Sequence, residues 1–157
     1  MTEVEKVEKL DGVTDSEKFL KKLCDRTFLS MWSYPNIHRD QGKEKRGEGK
    51  EVCDLLIVFE NHIIIFSDKH CKFPASGNLI TDWNRWFKRA ILKSAEQAWG
   101  AERWIKSFPE RLFLDRECSK RFPISLPTID KAIFHLVTVA HDSGEICKQV
   151  FNGGSGS

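Results

Sequence analysis

A chain of 157 residues is long enough for one domain with a real core and short for two. Its 40% hydrophobic and 31% charged residues are ordinary for a soluble globular protein, and a net charge of +2 excludes a polycation that binds nucleic acid through bulk charge. No apolar run approaches the ~18–20 residues of a membrane span, and the charged start (Glu3, Glu5, Lys6, Glu8, Lys9) has no signal-peptide core, which points to the cytoplasm and to no membrane partner.

Residues 1–13 read as a disordered lead-in and 14–152 as a single α/β domain. Thr14-Asp15-Ser16-Glu17 fits a capping box, in which Thr14 caps and Glu17 reaches back to its N–H. Phe19, Leu20, Leu23 and Phe28 follow at helical spacing, so a helix is expected over about 15–29 with that stripe toward the core. Residues 30–50 are irregular. Trp32, Tyr34-Pro35-Asn36 and Ile37 suggest a packed loop or short strand. The polar stretch 38–50 then reads as a solvated loop, or as one that touches phosphates through Arg39, Lys43, Lys45, Arg46 and Lys50.

Two short runs rich in Ile and Val, Leu55–Phe59 and Ile63–Phe66, flank Glu60-Asn61-His62. They read as strands buried on both faces and joined by a tight hairpin. A hairpin brings its outer ends together, and there lie Asp54 on one strand and Ser67, Asp68 and Lys69 on the other. Charges are rarely set against a buried sheet without a partner or a metal. A two-residue turn at Glu60-Asn61 sets Asp54 opposite Ser67, and one at Asn61-His62 sets it opposite Lys69; both put Asp54, Ser67 and Lys69 on one face. A three-residue turn pairs Asp54 with Asp68 and brings in His70. Asn61 suits a turn position with positive φ.

Thr81 or Asp82 is expected to cap a long helix over roughly 82–106. Its apolar side is Trp83, Trp86, Phe87, Ala90, Ile91, Ala98 and Ile105, and Gly100 is a point of kinking or division. Its other side sets Arg85, Lys88, Arg89, Lys93, Arg103 and Lys106 against three acids. Leu112–Leu114 and Ile124–Leu126 suggest short strands between prolines 109, 123 and 127. Ile133–Ala140 reads as a buried strand, with His135 a core histidine and His141 beside Asp142 near its end, while His62 faces solvent at the turn. Asp142 or Ser143 caps a last helix to about Val150. Residues 153–157 form a Gly/Ser tail, or the start of a linker to a further domain. Cys24, Cys53, Cys71, Cys118 and Cys147 never form C-x-x-C pairs, against a disulfide framework and a zinc ribbon alike.

Asp54, an apolar strand, a turn, a second apolar strand and Ser67-Asp68-Lys69 together resemble the core motif of the PD-(D/E)xK nuclease superfamily, with the spacing of its nuclease-related and Mrr-like restriction-endonuclease domains. The likeness covers about residues 14–106. It implies a restriction-endonuclease-like mixed sheet flanked by helices, and a Mg²⁺- or Mn²⁺-dependent endodeoxyribonuclease acting on DNA in restriction or phage defence in a prokaryote. By the same likeness Asp54 is a metal ligand, Lys69 the catalytic lysine and Gln97 an auxiliary residue on the following helix. The residue two before the lysine is Ser67 where the motif has an acid. The second ligand is then Asp68, Ser67 through water, or Asp82, Glu96 or Glu17 from the helices. Lys50, Lys72, Arg85 and Arg89 are the expected nucleic-acid contacts, and Trp83, Trp86, Trp99 and Trp104 are aromatic faces for bases or for the core. The alternatives are a catalytically inactive nuclease-fold module that binds nucleic acid or docks a partner, and a structural domain that docks a neighbour through its Trp-rich helix. A homo-oligomer is compatible with each.

Overall fold

In the computed structural model, residues 14–26, 32–141 and 143–151 are described. The expected lead-in, Phe28, Asp142 and the Gly/Ser tail lie outside them. The chain runs α1 (Asp15–Arg26), β1 (Ser33–Arg39), a single turn α2 (Lys43–Arg46), β2 (Lys50–Phe59), β3 (His62–Lys69), α3 (Leu79–Phe87), α4 (Lys93–Ser107), β4 (Ile133–Ala140) and α5 (Gly144–Val150). The strands form one mixed sheet in the order β1-β2-β3-β4. β1–β2 and β2–β3 are antiparallel. After the helical crossover β4 returns parallel to β3, in register from His62↔Ile133 to Lys69↔Ala140. The α/β mixed sheet flanked by helices is therefore present. Among the described residues no helix is long and apolar enough to cross a membrane.

The hairpin needs its apolar runs because both faces are covered. Ile63 and Ile65 join Leu56, Val58, Ala98, Ala101 and Ile105 in a core on the α4 side. Leu55 and Ile57 meet Leu20 of α1 on the other side, with Ile64 and Phe66 packed around them. Phe59↔His62 closes a two-residue turn at Glu60-Asn61. The positive φ falls on Glu60 (51°), not on Asn61.

Several expectations change. The capping box is made: Thr14 N–H donates to Glu17 Oε2 at 3.2 Å, and Glu17 N–H to Thr14 Oγ1 at 3.3 Å. Among the described residues of the α1 stripe, however, Leu20 alone is buried; Phe19 and Leu23 are exposed. Of the packed loop or short strand expected around Tyr34–Ile37, the strand is present, as β1. It tolerates Pro35 because it lies at the sheet edge, where a missing N–H breaks no central ladder. Asn78, not Thr81 or Asp82, caps α3, accepting the Thr81 N–H at 2.9 Å. Asp82 is instead buried and takes both the N–H and the hydroxyl of Ser76, each at 2.7 Å. The long helix is interrupted by a π-turn at Lys88–Leu92, whereas Gly100 sits inside α4. In residues 107–130 Phe113 makes only isolated bridges, to His38 and Arg121. β4 is not a buried strand: it is the other edge, with Ile133 and Leu136 exposed. His135 is exposed as well and shares a 2.9 Å ring-nitrogen contact with His62.

Gly49 marks the entrance to β2. A Cβ there would collide with Cys118 Sγ and lie 2.6 Å from the Arg39 carbonyl oxygen. Its own N–H is held by Arg116 O at 2.7 Å, so the backbone has little room to retreat. Gly49→Ala is expected to cost about 1–3 kcal/mol, a fall of several degrees in Tm. A melt indistinguishable from wild type would show that the entrance yields.

Candidate functional site

The β2–β3 ladder ends at Leu55↔Phe66, one residue short of the polar ends. Asp54 takes up the vacated ladder position with its side chain: Oδ2 accepts the Asp68 N–H at 2.6 Å. This overturns the expected grouping of Asp54 with Ser67. On β3, Ile63, Ile65 and Ser67 form the buried face against α4, and Ser67 is fully buried. Its carbonyl accepts the Ser94 hydroxyl at 2.8 Å, while its own Oγ has no partner among the described residues. Asp68 points the opposite way, toward α1. The register Asp68↔Val139 carries His141 onto the same side, two residues further along, and His141 Nε2 lies 2.7 Å from Asp68 Oδ1. The Asp68 side chain is 2% exposed, yet its Oδ2 has no hydrogen-bond partner among the described residues.

These groups open into a cavity of about 440 Å³ lined by Glu17, Asp54, Asp68, Lys69 and His70, with the first turn of α1 as its rim. Glu17 is anchored there: its Oε2 accepts Asn36 Nδ2 at 3.2 Å besides the capping N–H. Asn36 reaches it from a left-handed backbone position (φ 53°) on β1. Of the expected catalytic set, Asp54, Asp68 and Lys69 thus share the cavity and Ser67 does not. Of the three helix acids, Glu17 reaches it; Asp82 is committed to Ser76, and Glu96 lines a second cavity.

The second cavity, about 600 Å³, lies between the start of β2 and α4. Lys69 lines both cavities. Gln97 and Lys50 line this second one, whereas Lys72, Arg85 and Arg89 are exposed and line neither.

Glu51 belongs to the site and was not singled out by its spacing. In a regular strand, residues three apart face opposite ways. Here Ile37 pairs with Cys53 but His38 with Glu51, so β2 carries one extra residue against β1. Such a bulge re-aims the side chains on either side of it, and the Glu51 carboxyl comes up against that of Asp54. Although the residue surface of Glu51 is exposed, its carboxyl is crowded. Burial first, then the Asp54 contact and the charges of Asp54 and Glu17, push it from 4.5 up to about 7, with Lys69 pulling the other way. The native state therefore holds this proton more tightly than the unfolded chain. The associated stability is full below pH about 4.5 and is lost as pH rises toward about 7. Glu51→Gln should remove that loss. After allowing for solvent screening, it should melt higher than wild type at alkaline pH by about 1 kcal/mol, roughly 2–4 °C, with no advantage in acid. Parallel melting curves for the two proteins across this range would sink the assignment.

The donor set suits a hard divalent cation. Asp54 and Asp68 supply carboxylate oxygens, one of them buried and unpartnered, and Mg²⁺ commonly takes one or two carboxylates and fills its remaining positions with water and phosphate. Among the described residues no group of three or more His, Cys, Asp or Glu side chains is gathered as a complete metal cage. Comparisons with protein-family models, curated proteins and solved structures find no match to this chain.

Proposed function

We propose that this chain is a metal-dependent nuclease that hydrolyses DNA phosphodiester bonds, in restriction or phage defence. The observation that carries the reading is the meeting of Asp54, Asp68 and Lys69 in one cavity, where Asp68 also has a buried carboxylate oxygen with no partner among the described residues. Asp54 and Asp68 would hold Mg²⁺ or Mn²⁺, which would supply Lewis-acid activation of the phosphate and of an attacking water. Lys69 sits where an ammonium stabilises charge developing on the phosphate. His141 fixes the Asp68 carboxyl through Oδ1 and leaves Oδ2 for the cation. Gln97 and Lys69 line the second cavity together, which supports the auxiliary role for Gln97. The helices before and after the hairpin and the mixed sheet are those implied by the resemblance to PD-(D/E)xK nucleases.

A second reading, a nuclease-fold module that binds nucleic acid or docks a partner without cutting, is favoured by one observation. Asp54 Oδ2 is already engaged by the Asp68 N–H, and Asp68 Oδ1 by His141. Asp54 also meets the Glu51 carboxyl, so both carboxylates already have partners within the protein. Incubation of plasmid DNA with wild type in Mg²⁺ or Mn²⁺ separates the two. Cleavage that is lost in EDTA and in Asp54→Ala supports the enzyme. A wild type that leaves DNA and RNA intact but retards DNA in a gel supports the binding module.

A further inference from the structure

We infer that the second cavity is a binding groove for a single strand of nucleic acid, its phosphates on the cations of β1, β2 and α4 and one base on Trp99. The inference rests on the reading of the neighbouring carboxylate site as the place where a phosphodiester is cut, and it names the form of the polymer that enters. Five cations line the groove: Arg39, Lys50, Lys69, Lys93 and Arg103. Only two acids, Glu51 and Glu96, oppose them, and none of the five forms an ion pair with a described carboxylate. Most lysines and arginines at a protein surface are solvated singly; here five converge on one concavity in a chain of net charge only +2.

Arg39 is the best-built of them. Its guanidinium carbon lies 4.8 Å from the centre of the Trp104 ring, so the planar head is held in place by stacking. Its Nε is buried and has no hydrogen-bond partner among the described residues. A guanidinium held flat by stacking is pre-organised for a phosphate.

Trp99 supplies the second, independent element. On α4, Glu96, Gln97, Gly100 and Arg103 line the groove, and Trp99, outside the lining but one turn before Arg103, carries the Arg103 guanidinium 4.7 Å from its ring centre. Trp104 and Trp86 are packed into the protein, but Trp99 is 56% exposed. A flat aromatic face beside a row of cations is the arrangement by which strands are held without sequence readout, and stacking on it requires a base that is not already stacked in a duplex. A groove of about 600 Å³ has the size of a small-ligand cleft. Because Lys69 lines both cavities, a strand lying in the groove passes a phosphate to the carboxylate site.

The test is fluorescence anisotropy in EDTA, so that binding is read apart from cleavage. A labelled oligothymidylate, a duplex of equal length and polyglutamate are the probes. Lys93 and Trp99 are exposed, outside the catalytic set and safe for the fold. The expected result is tighter binding of the single strand than of the duplex, and no competition by polyglutamate. Trp99→Ala should weaken single-strand binding roughly tenfold. Lys93→Ala should lower the slope of log affinity against log salt by about one. Equal affinity for the duplex, full competition by polyglutamate, or an unchanged affinity in Trp99→Ala overturns the inference. If the strand binds as expected but no metal supports cleavage, the groove stands and the hydrolytic reading falls.

Discussion

Asp54→Asn should reduce metal-dependent DNA cleavage by at least about 10²–10³-fold while leaving the fold intact. The substitution removes the charge that would hold the cation but keeps an oxygen able to accept the Asp68 N–H, so the hydrogen bond at the end of the ladder survives. It also removes one of the negative charges that crowd Glu51, with Glu17 remaining. The variant should therefore melt at or above the wild-type temperature at neutral pH, and the Glu51 carboxyl should titrate lower. Loss of cleavage with retained or raised stability identifies Asp54 as chemical. Loss of both would make it a structural group, and retained cleavage would remove it from the site altogether.

Lys69→Met should produce a comparable loss, about 10²–10³-fold in kcat, because an ammonium next to developing phosphate charge acts mainly in the transition state. Two side effects distinguish this from misfolding. Lys69 pulls the Glu51 carboxyl down, so its removal should raise the pH at which Glu51 ionises. It also lines the cationic groove, so the salt slope of DNA binding should fall by about one. Single-turnover cleavage across pH, together with binding at several salt concentrations, reads all three effects. An unchanged kcat would assign Lys69 to the groove alone.

The residue sequence made the hairpin legible because two apolar runs with polar outer ends have few other uses. It left the partner of Asp54 open between registers. The turn at Glu60-Asn61 was one of the two-residue alternatives, yet the face it implied for Asp54 did not follow, since the ladder stops at Leu55↔Phe66 and the carboxylate turns to a backbone amide instead. No periodicity carries that information. Glu51 was hidden for a related reason: its three-residue separation from Asp54 argues for opposite faces until a bulge, set by the pairing with β1, adds a residue. At β1 the choice between a packed loop and a short strand stays open in the sequence because of Pro35 and the absence of alternation, which a strand buried along nearly its whole length does not show. The exposure of β4 was equally unreadable. Its eight residues carry no charge, and only the sheet order shows that it lies at an edge. The carboxylate of Asp68, by contrast, needed only the choice between two adjacent residues, and burial of Ser67 against α4 decides which of them lines the cavity.

The most direct measurement of the central claim is anomalous diffraction from crystals equilibrated with Mn²⁺, collected for wild type and for Asp54→Asn. The account predicts an anomalous peak between the Asp54 and Asp68 carboxyls, in contact with Asp68 Oδ2, that disappears in the variant. A peak elsewhere on the chain with none in this cavity, or one that persists unchanged in Asp54→Asn, would contradict it.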